Sequence, residues 1–167
     1  MAGPLYVEGL DKVLKALDKA DKDIRRAAMK GLQKAGLQVI ADANDNLRTN
    51  GSVVTGLLRQ SGKVEKVNET DLDVGFFDRQ NRQSGYAYFV EYGRRAGRMP
   101  PPDELAQWAY KKFQLHDRKA AVRIGWALAI KIAQEGTEPH PFFEPALEKN
   151  KGQIASAIRG EIDDATR

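Results

Sequence analysis

Apolar residues recur along this chain at two spacings, and the changes of spacing mark out its elements. From Val7 to Ala20, Leu10, Val13, Leu14 and Leu17 fall at helical intervals among lysines and aspartates, which predicts a short amphipathic helix. Asp21 or Asp23 is suited to cap the helix that follows. Ile24, Ala28, Leu32, Ala35, Val39 and Ala43 form a narrow stripe that predicts this helix over about Ile24–Leu47, a rod ~36 Å long. Gly31 and Gly36 each weaken a helix by about 1 kcal/mol relative to alanine, so they read as places of close packing. Thr49-Asn50-Gly51-Ser52 is a turn, and the local structure of Thr55 to Ser61 is ambiguous. Alternation then takes over. Lys63–Val67 and Leu72–Phe77 read as two strands around Asn68-Glu69-Thr70-Asp71, with Leu72, Val74 and Phe76 on one face. Asp78–Gly85 is polar and reads as an exposed loop.

Helical spacing returns at Tyr86–Gly93, a short aromatic segment that Gly93 ends. After the basic loop Arg94–Pro102, Asp103 is placed to cap a helix with Leu105, Trp108, Ala109 and Phe113 on one face. Asp117 opens the next helix, where Ala121, Ile124, Leu128 and Ile132 form a stripe that Trp126 and Ile130 widen, up to a stop at Gly136. The last helix begins near Pro145 and lines Leu147, Ile154, Ile158 and Ile162 on one side. The order predicts a helix-rich α+β fold: long N-terminal helices, a small antiparallel sheet or hairpin, and three to four C-terminal helices. Between the last two helices, Gly136–Leu147 holds three prolines and the adjacent Phe142 and Phe143. So much apolar area on so stiff a path predicts that both phenylalanines are buried, a position where truncation to alanine costs ~3–5 kcal/mol.

The balance of residue types, 41% hydrophobic and 30% charged over 167 residues, is that of one soluble globular domain. With no cysteine, disulfides, thiolate metal sites and cysteine nucleophiles are excluded. The start of the chain lacks the pattern of a secretory signal. No unbroken apolar run is longer than Trp126–Ile130, far short of the ~20 residues that cross a bilayer, so no membrane association is expected. Assembly in a cytoplasm is.

Candidate chemistry is sparse. His116 and His140 have no partner at ligand spacing, the glycines form no phosphate loop, and no serine stands in a nucleophile-elbow context. Asp71 and Asp73 are an i, i+2 carboxylate pair such as a metal nuclease uses, but nothing else converges on them and a solvated strand face accounts for them better. No catalytic, metal or cofactor-binding residue is assigned, and no enzymatic activity is expected.

Charge is more informative. The formal charge is +4. Arg94 to Arg123 carries eight basic residues against three acidic, or +5, whereas Glu135 to Arg167 carries four against seven, or −3. Three readings follow: a nucleic-acid patch with Tyr92 and Trp108 available for stacking, a positive surface that meets the negative surface of another copy or a stacked neighbour, or a solvated loop.

Three short motifs occur in a fixed order: Thr55-Gly56-x-Leu58-x-x-Ser61, Tyr86-Ala87-x-x-Val90-Glu91-Tyr92-Gly93, and Pro139-x-Pro141-Phe142-Phe143-x-Pro145-Ala146. Together with the opening Val7-x-Gly9-Leu10-x-x-x-Leu14, this set resembles the neck or tail-completion proteins of long-tailed double-stranded-DNA bacteriophages, the group of the lambda minor tail protein Z type. The resemblance implies a structural virion protein at the head–tail junction. It would be a connector that forms a ring with its own copies, usually a hexamer. Head-closure, tail-terminator, and tail-tube or tape-measure proteins are its implied partners, and genomic DNA passes through the lumen. The resemblance also implies that Tyr86–Gly93 packs against Pro139–Ala146. The implied contact residues are Tyr86, Phe89, Glu91, Tyr92, Arg94, Arg95, Arg98, Pro139, Pro141, Phe142 and Phe143. One departure stands out. Many members have threonine directly after the glycine matching Gly93; here Arg94 follows, and a Gly-Thr pair comes only at Gly136-Thr137. The expected organisation is therefore a single domain over 1–167 with a helical excursion at about 94–135. The alternative function is a basic DNA-binding protein that uses the Arg94–Arg123 region.

Overall fold

Two long helices lie along each other, and the small sheet packs against the first of them. The computed structural model describes residues 22–50, 56–77 and 85–166. The helix predicted over Val7–Ala20, the candidate cap Asp21 and most of the predicted 78–85 loop lie outside those residues. In chain order the elements are α1 (Lys22–Thr49), α2 (Leu57–Gln60), β1 (Gly62–Lys66), β2 (Leu72–Phe76), α3 (Gly85–Tyr92), α4 (Pro102–Lys112), α5 (Arg118–Glu135) and α6 (Phe143–Ala165). This is the helix-rich α+β fold that the periodicity predicts.

The α1–α6 pair is the most extensive contact between elements. Its intimacy comes from a missing side chain. A Cβ added at Gly31 would lie 2.6 Å from both the carbonyl oxygen of Ala157 and the Cα of Ile158. The two backbones therefore touch at a point where any side chain would hold them apart. Ala28, Leu32 and Ile158 are buried around that point, with Met29, Leu72, Ile154 and Ile162 packed against them. Gly36 plays the same part toward the sheet, where an added Cβ would meet the Val74 and Val64 methyls at 2.9 and 3.0 Å.

The sheet is one antiparallel pair with Gly62 opposite Phe76, Val64 opposite Val74 and Lys66 opposite Leu72. The alternation noted in β2 puts Leu72, Val74 and Phe76 toward α1. Asn68 shapes the turn: its side-chain oxygen accepts from the backbone N–H of Thr70 at 2.7 Å and of Asp71 at 2.8 Å. The main core lies where α1, the sheet, α3 and the start of α6 meet. There Val39, Ile40, Ala43, Leu47, Leu58, Phe76, Ala87, Phe142, Phe143 and Ala146 are buried together.

Two polar clusters cross the α1–α6 interface. Asn150 donates to Asp42 at 2.6 Å and to the carbonyl of Ala146 at 2.8 Å, and Lys149 pairs with Asp42 at 3.1 Å. Near the far end of α6, Glu161 is paired with both Lys30 and Lys34. The Asn150 hydrogen bond, aided by Lys149, holds the Asp42 carboxyl below its ordinary value of 3.8. Hydrogen bonds from Lys34 and Lys30 hold Glu161 below 4.5, and the Glu161 partnership raises Lys30 above 10.5.

Helices α4 and α5 pack chiefly on each other, and neither makes an extensive contact with another element. Their seam consists of small residues: Ala106, Ala109, Ala121, Gly125 and Ala129 are buried. A Cβ at Gly125 would stand 2.6 Å from the backbone nitrogen of Ala106 and the carbonyl oxygen of Pro102. The structure departs from the sequence expectations at several points. Trp126 and Ile130 do not widen a buried stripe; they are 49% and 48% exposed, because the small seam draws the helices too close to admit large side chains on that flank. Phe113 is past the end of α4 and exposed, with its ring edge-on to Trp108 at 5.8 Å. Asp103 falls within the first turn of α4, whose cap position is Pro101; Pro102 fits the first helical position because its fixed φ is already helical and it has no N–H to satisfy. Asp117 does cap α5, accepting from Lys119 at 2.8 Å and Ala120 at 3.2 Å. Likewise Asp23 is in the first turn of α1 rather than ahead of it, and α6 starts at Phe143, two residues before Pro145.

Gly31→Ala is expected to destabilise by about 1–3 kcal/mol, since it forces a backbone-to-backbone contact open. On a chain of this size that lowers the melting temperature by roughly 2–4 °C per kcal/mol. Gly152→Ala, on α6 with open space around it, should do the reverse and add about 1 kcal/mol. Thermal melts of the two variants check the pair.

Asp42 and Glu161 have depressed folded-state values, so their stabilisation is complete above their ordinary values of 3.8 and 4.5. It fades as pH falls through the lower folded values, where the unfolded chain binds more protons. The raised Lys30 works in the other direction, and its contribution is lost only above 10.5. Denaturant midpoints from pH 7 to pH 2 should therefore drop on the acid side, and Asp42→Asn with Glu161→Gln should flatten that drop while lowering the neutral plateau.

Candidate assembly site

Helix α6 begins without a cap of its own. The residue before it is Phe142, whose side chain makes no capping hydrogen bond, yet the first turn of any helix presents unpaired backbone N–H groups. The missing acceptor comes from α3. One carboxylate oxygen of Glu91 accepts from the backbone N–H of Phe142 at 2.8 Å and of Phe143 at 2.9 Å. The other accepts from Glu144 at 2.9 Å. Glu91 is only 4% exposed. Its negative charge also faces the positive end of the α6 dipole.

The chain segment that leads into α6 runs antiparallel beside the end of α3. Arg94 and Thr137 form an isolated bridge, with N–H to O distances of 3.0 and 2.8 Å, and the N–H of His140 donates to the carbonyl of Val90 at 2.8 Å. Gly93 (φ 71°) and Gly136 (φ 80°) flank this bridge, both in the left-handed region. A Cβ at Gly93 would sit 2.5 Å from the carbonyl oxygen of Thr137, and one at Gly136 would collide with that of Arg94. Glycine is thus required at both positions by conformation and by space. On the other side, Asn46 of α1 donates to the carbonyl of Phe142 and Asn50 to that of Pro141, each at 2.9 Å. The two phenylalanine rings turn inward. Phe76 meets Phe142 edge-on at 4.9 Å and Phe143 at 6.0 Å.

The sequence motifs at Tyr86–Gly93 and Pro139–Ala146 therefore meet, and they meet within one chain. Among the candidate contact residues, Glu91, Phe142 and Phe143 are buried and make internal contacts. Tyr86, Phe89, Tyr92, Arg95, Arg98, Pro139 and Pro141 face outward. Tyr88 joins them: its ring is 5.9 Å from Phe89 and 5.0 Å from Tyr92. The half-buried Arg94 lies over the Phe89 ring at 5.4 Å and donates to the carbonyl of Arg98. Partial burial of its ring, followed by the charges of Glu144 and Glu91 and the neighbouring Tyr88, raises the Tyr92 phenol above 10.0.

The capping role of Glu91 was readable in one respect only. No Ser, Thr, Asp or Asn immediately precedes Phe143, and a helix without a local cap needs a remote one. Among the described residues no three His, Cys, Asp or Glu side chains are placed to hold a metal ion. Asp71 belongs to the β-turn, where it accepts from Asn68, and Asp73 is exposed on β2. His116 and His140 are exposed. No helix among the described residues is long and apolar enough to cross a membrane.

Residues 11–93 match the family model described as "HK97-gp10_like: Bacteriophage HK97-gp10, putative tail-component". Over this stretch the chain belongs to the HK97-gp10-like family of bacteriophage tail components. No curated protein and no solved structure matches it. A tail component is a virion protein that works among other phage tail proteins. The matched stretch contains the first two motifs and ends at Gly93, the glycine of the Arg94–Thr137 bridge. The Pro-Phe motif lies beyond it, joined to the matched part through Glu91.

Glu91→Ala is expected to cost this tail component about 2–4 kcal/mol, since it strands three backbone donors at a buried helix end. Glu91→Gln, with one acceptor oxygen instead of two, should fall between Ala and the parent. Urea titrations of the three proteins give the order.

Proposed function

We propose that this tail component is a ring-forming connector at the head–tail junction, joining the tail to head-closure proteins, with a structural and not a catalytic role. The observation that supports this best is the meeting of the α3 motif with the Pro-Phe motif. It rigidifies the base of α6 and leaves tyrosines, a phenylalanine and arginines on the outer side. A connector needs a stiff frame with opposed adhesive faces, and no reaction centre. The ring, taken as a hexamer, would contact the tail terminator, and the tail tube or tape measure, on its tail side.

A second reading, contact with the duplex DNA that passes through the lumen, draws on Arg95, Arg98, Lys111 and Lys112. These side chains are exposed, and none forms an ion pair among the described residues. Cations so placed suit phosphate contacts, which weaken with salt. They equally suit an acidic protein surface.

In a phage that encodes this chain, a nonsense codon in its gene should yield filled heads and free tails that do not join, with infectivity restored by supplying the chain in trans. Electron micrographs of the lysate decide it. Normal particles without the chain, or labelled chain found only at the distal tail tip, would overturn the assignment.

A further inference from the structure

Past Gly93 the chain builds a helical hairpin that leans on itself more than on the rest. Neither α4 nor α5 makes an extensive contact with any other element, and neither hydrophobic cluster of the body takes a residue from them. Among the described residues no ion pair and no side-chain hydrogen bond runs from α4 or α5 to another element. Lys131 pairs with Glu135 one turn on, and Asp117 serves its own helix. The hairpin is held by its seam, where only alanines and Gly125 are buried. Leu105, Trp108, Ile124, Leu128 and Ile132 are half-buried.

Two stretches of chain join this hairpin to the body, one leading in from Arg94 and one leading out through Gly136. They are clamped together at the Arg94–Thr137 bridge. On the body side the clamp is firm, since His140 is bonded to Val90 and Glu91 holds the start of α6. On the other side, the N–H of Gly97 donates to the carbonyl of Ala133 in α5 at 2.8 Å, so Gly97 moves with the hairpin. Arg95, Ala96 and Gly136 are left between clamp and hairpin. Arg95 and Ala96 are exposed. A Cβ at Gly136 would meet the backbone of both, so the two connectors lie side by side. One side chain spans the gap: the Arg94 guanidinium lies over the Phe89 ring of α3 and donates to the carbonyl of Arg98.

We propose that α4–α5 is an arm that turns as a rigid body about this hinge, with Arg94 as the strut that sets its resting angle. Units of one chain that share little contact move relative to each other by default, and a few loop positions suffice to absorb the change. Two adjacent connectors leave one soft rotation, about the line that crosses both; sliding or twisting would break the bridge. No buried side chain has to be exposed for the arm to turn, because the buried residues of α4 and α5 lie in their own seam. The inference goes beyond the connector reading and stands or falls apart from it.

The chain has no cysteine, so spin labels can be placed in pairs at exposed positions. Lys119→Cys with Gly152→Cys spans arm and body, Glu104→Cys with Lys119→Cys lies within the arm, and Arg26→Cys with Gly152→Cys lies within the body. Double electron–electron resonance on the full chain should give an arm-to-body distance distribution roughly twice as wide as either of the others. Adding Arg94→Ala to each pair removes the strut and keeps the backbone bridge. It should widen the arm-to-body distribution further and leave the other two unchanged. Unchanged circular dichroism of each variant establishes that the fold is kept. An arm-to-body distribution as narrow as the two internal ones overturns the hinge. A within-arm distribution as wide as the arm-to-body one overturns it too, because the helices are then separating and not turning together. An arm-to-body width indifferent to Arg94→Ala overturns the strut.

Discussion

A single buried carboxylate holds this fold at its tightest point. Helix α6 starts directly after a rigid Pro-Phe segment, and Phe142 at its cap position has no side-chain acceptor to offer the first turn. Glu91, at the other end of an antiparallel backbone bridge, supplies both oxygens to three N–H groups. Much follows from that one tie. It fixes where α6 begins, so it fixes which residues of α6 face α1. It requires α3 to end where it does, with Gly93 and Gly136 glycine so that the two strands of backbone can pass. It also turns Phe142 and Phe143 inward onto Phe76, where the three rings close the core. The charge of Glu91 is tolerable there because three donors and a helix dipole compensate its desolvation.

The helix pairs obey a second constraint, close approach through small residues. At Gly31 the α1 and α6 backbones are in contact, and at Gly125 the α4 and α5 backbones are. A contact of this kind gains dispersion along the whole pair and leaves no room for large side chains beside it. This has opposite outcomes in the two pairs. Along α1 and α6, the Leu32 and Ile158 side chains still find a core. Along α4 and α5, Val122, Trp126 and Ile130 are left facing solvent. An isolated helical pair of this size buries little, and its large apolar residues are then available to other molecules.

The outward face of the α3–α6 junction and the outward face of α5 are thus consequences of the same packing rules. One is aromatic, with Arg94 and Glu144 beside it; the other is aliphatic with a tryptophan and has Lys119 and Arg123 on the same side. For a tail component, which works among other phage tail proteins, such faces are surfaces that a neighbour can meet.

The secondary structure was legible in the sequence because it depends on local periodicity. The α1 stripe, the β2 alternation, the Asp117 cap and the Gly136 stop each need only neighbouring residues to be understood. Burial of Phe142 and Phe143 was legible too, since their area has no other outlet. What the sequence could not determine was anything set by residues distant along the chain. Trp126 and Ile130 look like core at helical spacing; only the small seam opposite them, assembled from Ala106, Ala109 and Gly125, puts them outside. Asp103 and Pro145 look like helix starts, but proline geometry moved one start and a carboxylate from 51 residues earlier in the chain moved the other. Glu91 stood in a recognisable motif, yet its work depends on Thr137 pairing with Arg94. Local spacing decides which elements form; the close approach of distant backbones decides which of their faces are left for partners.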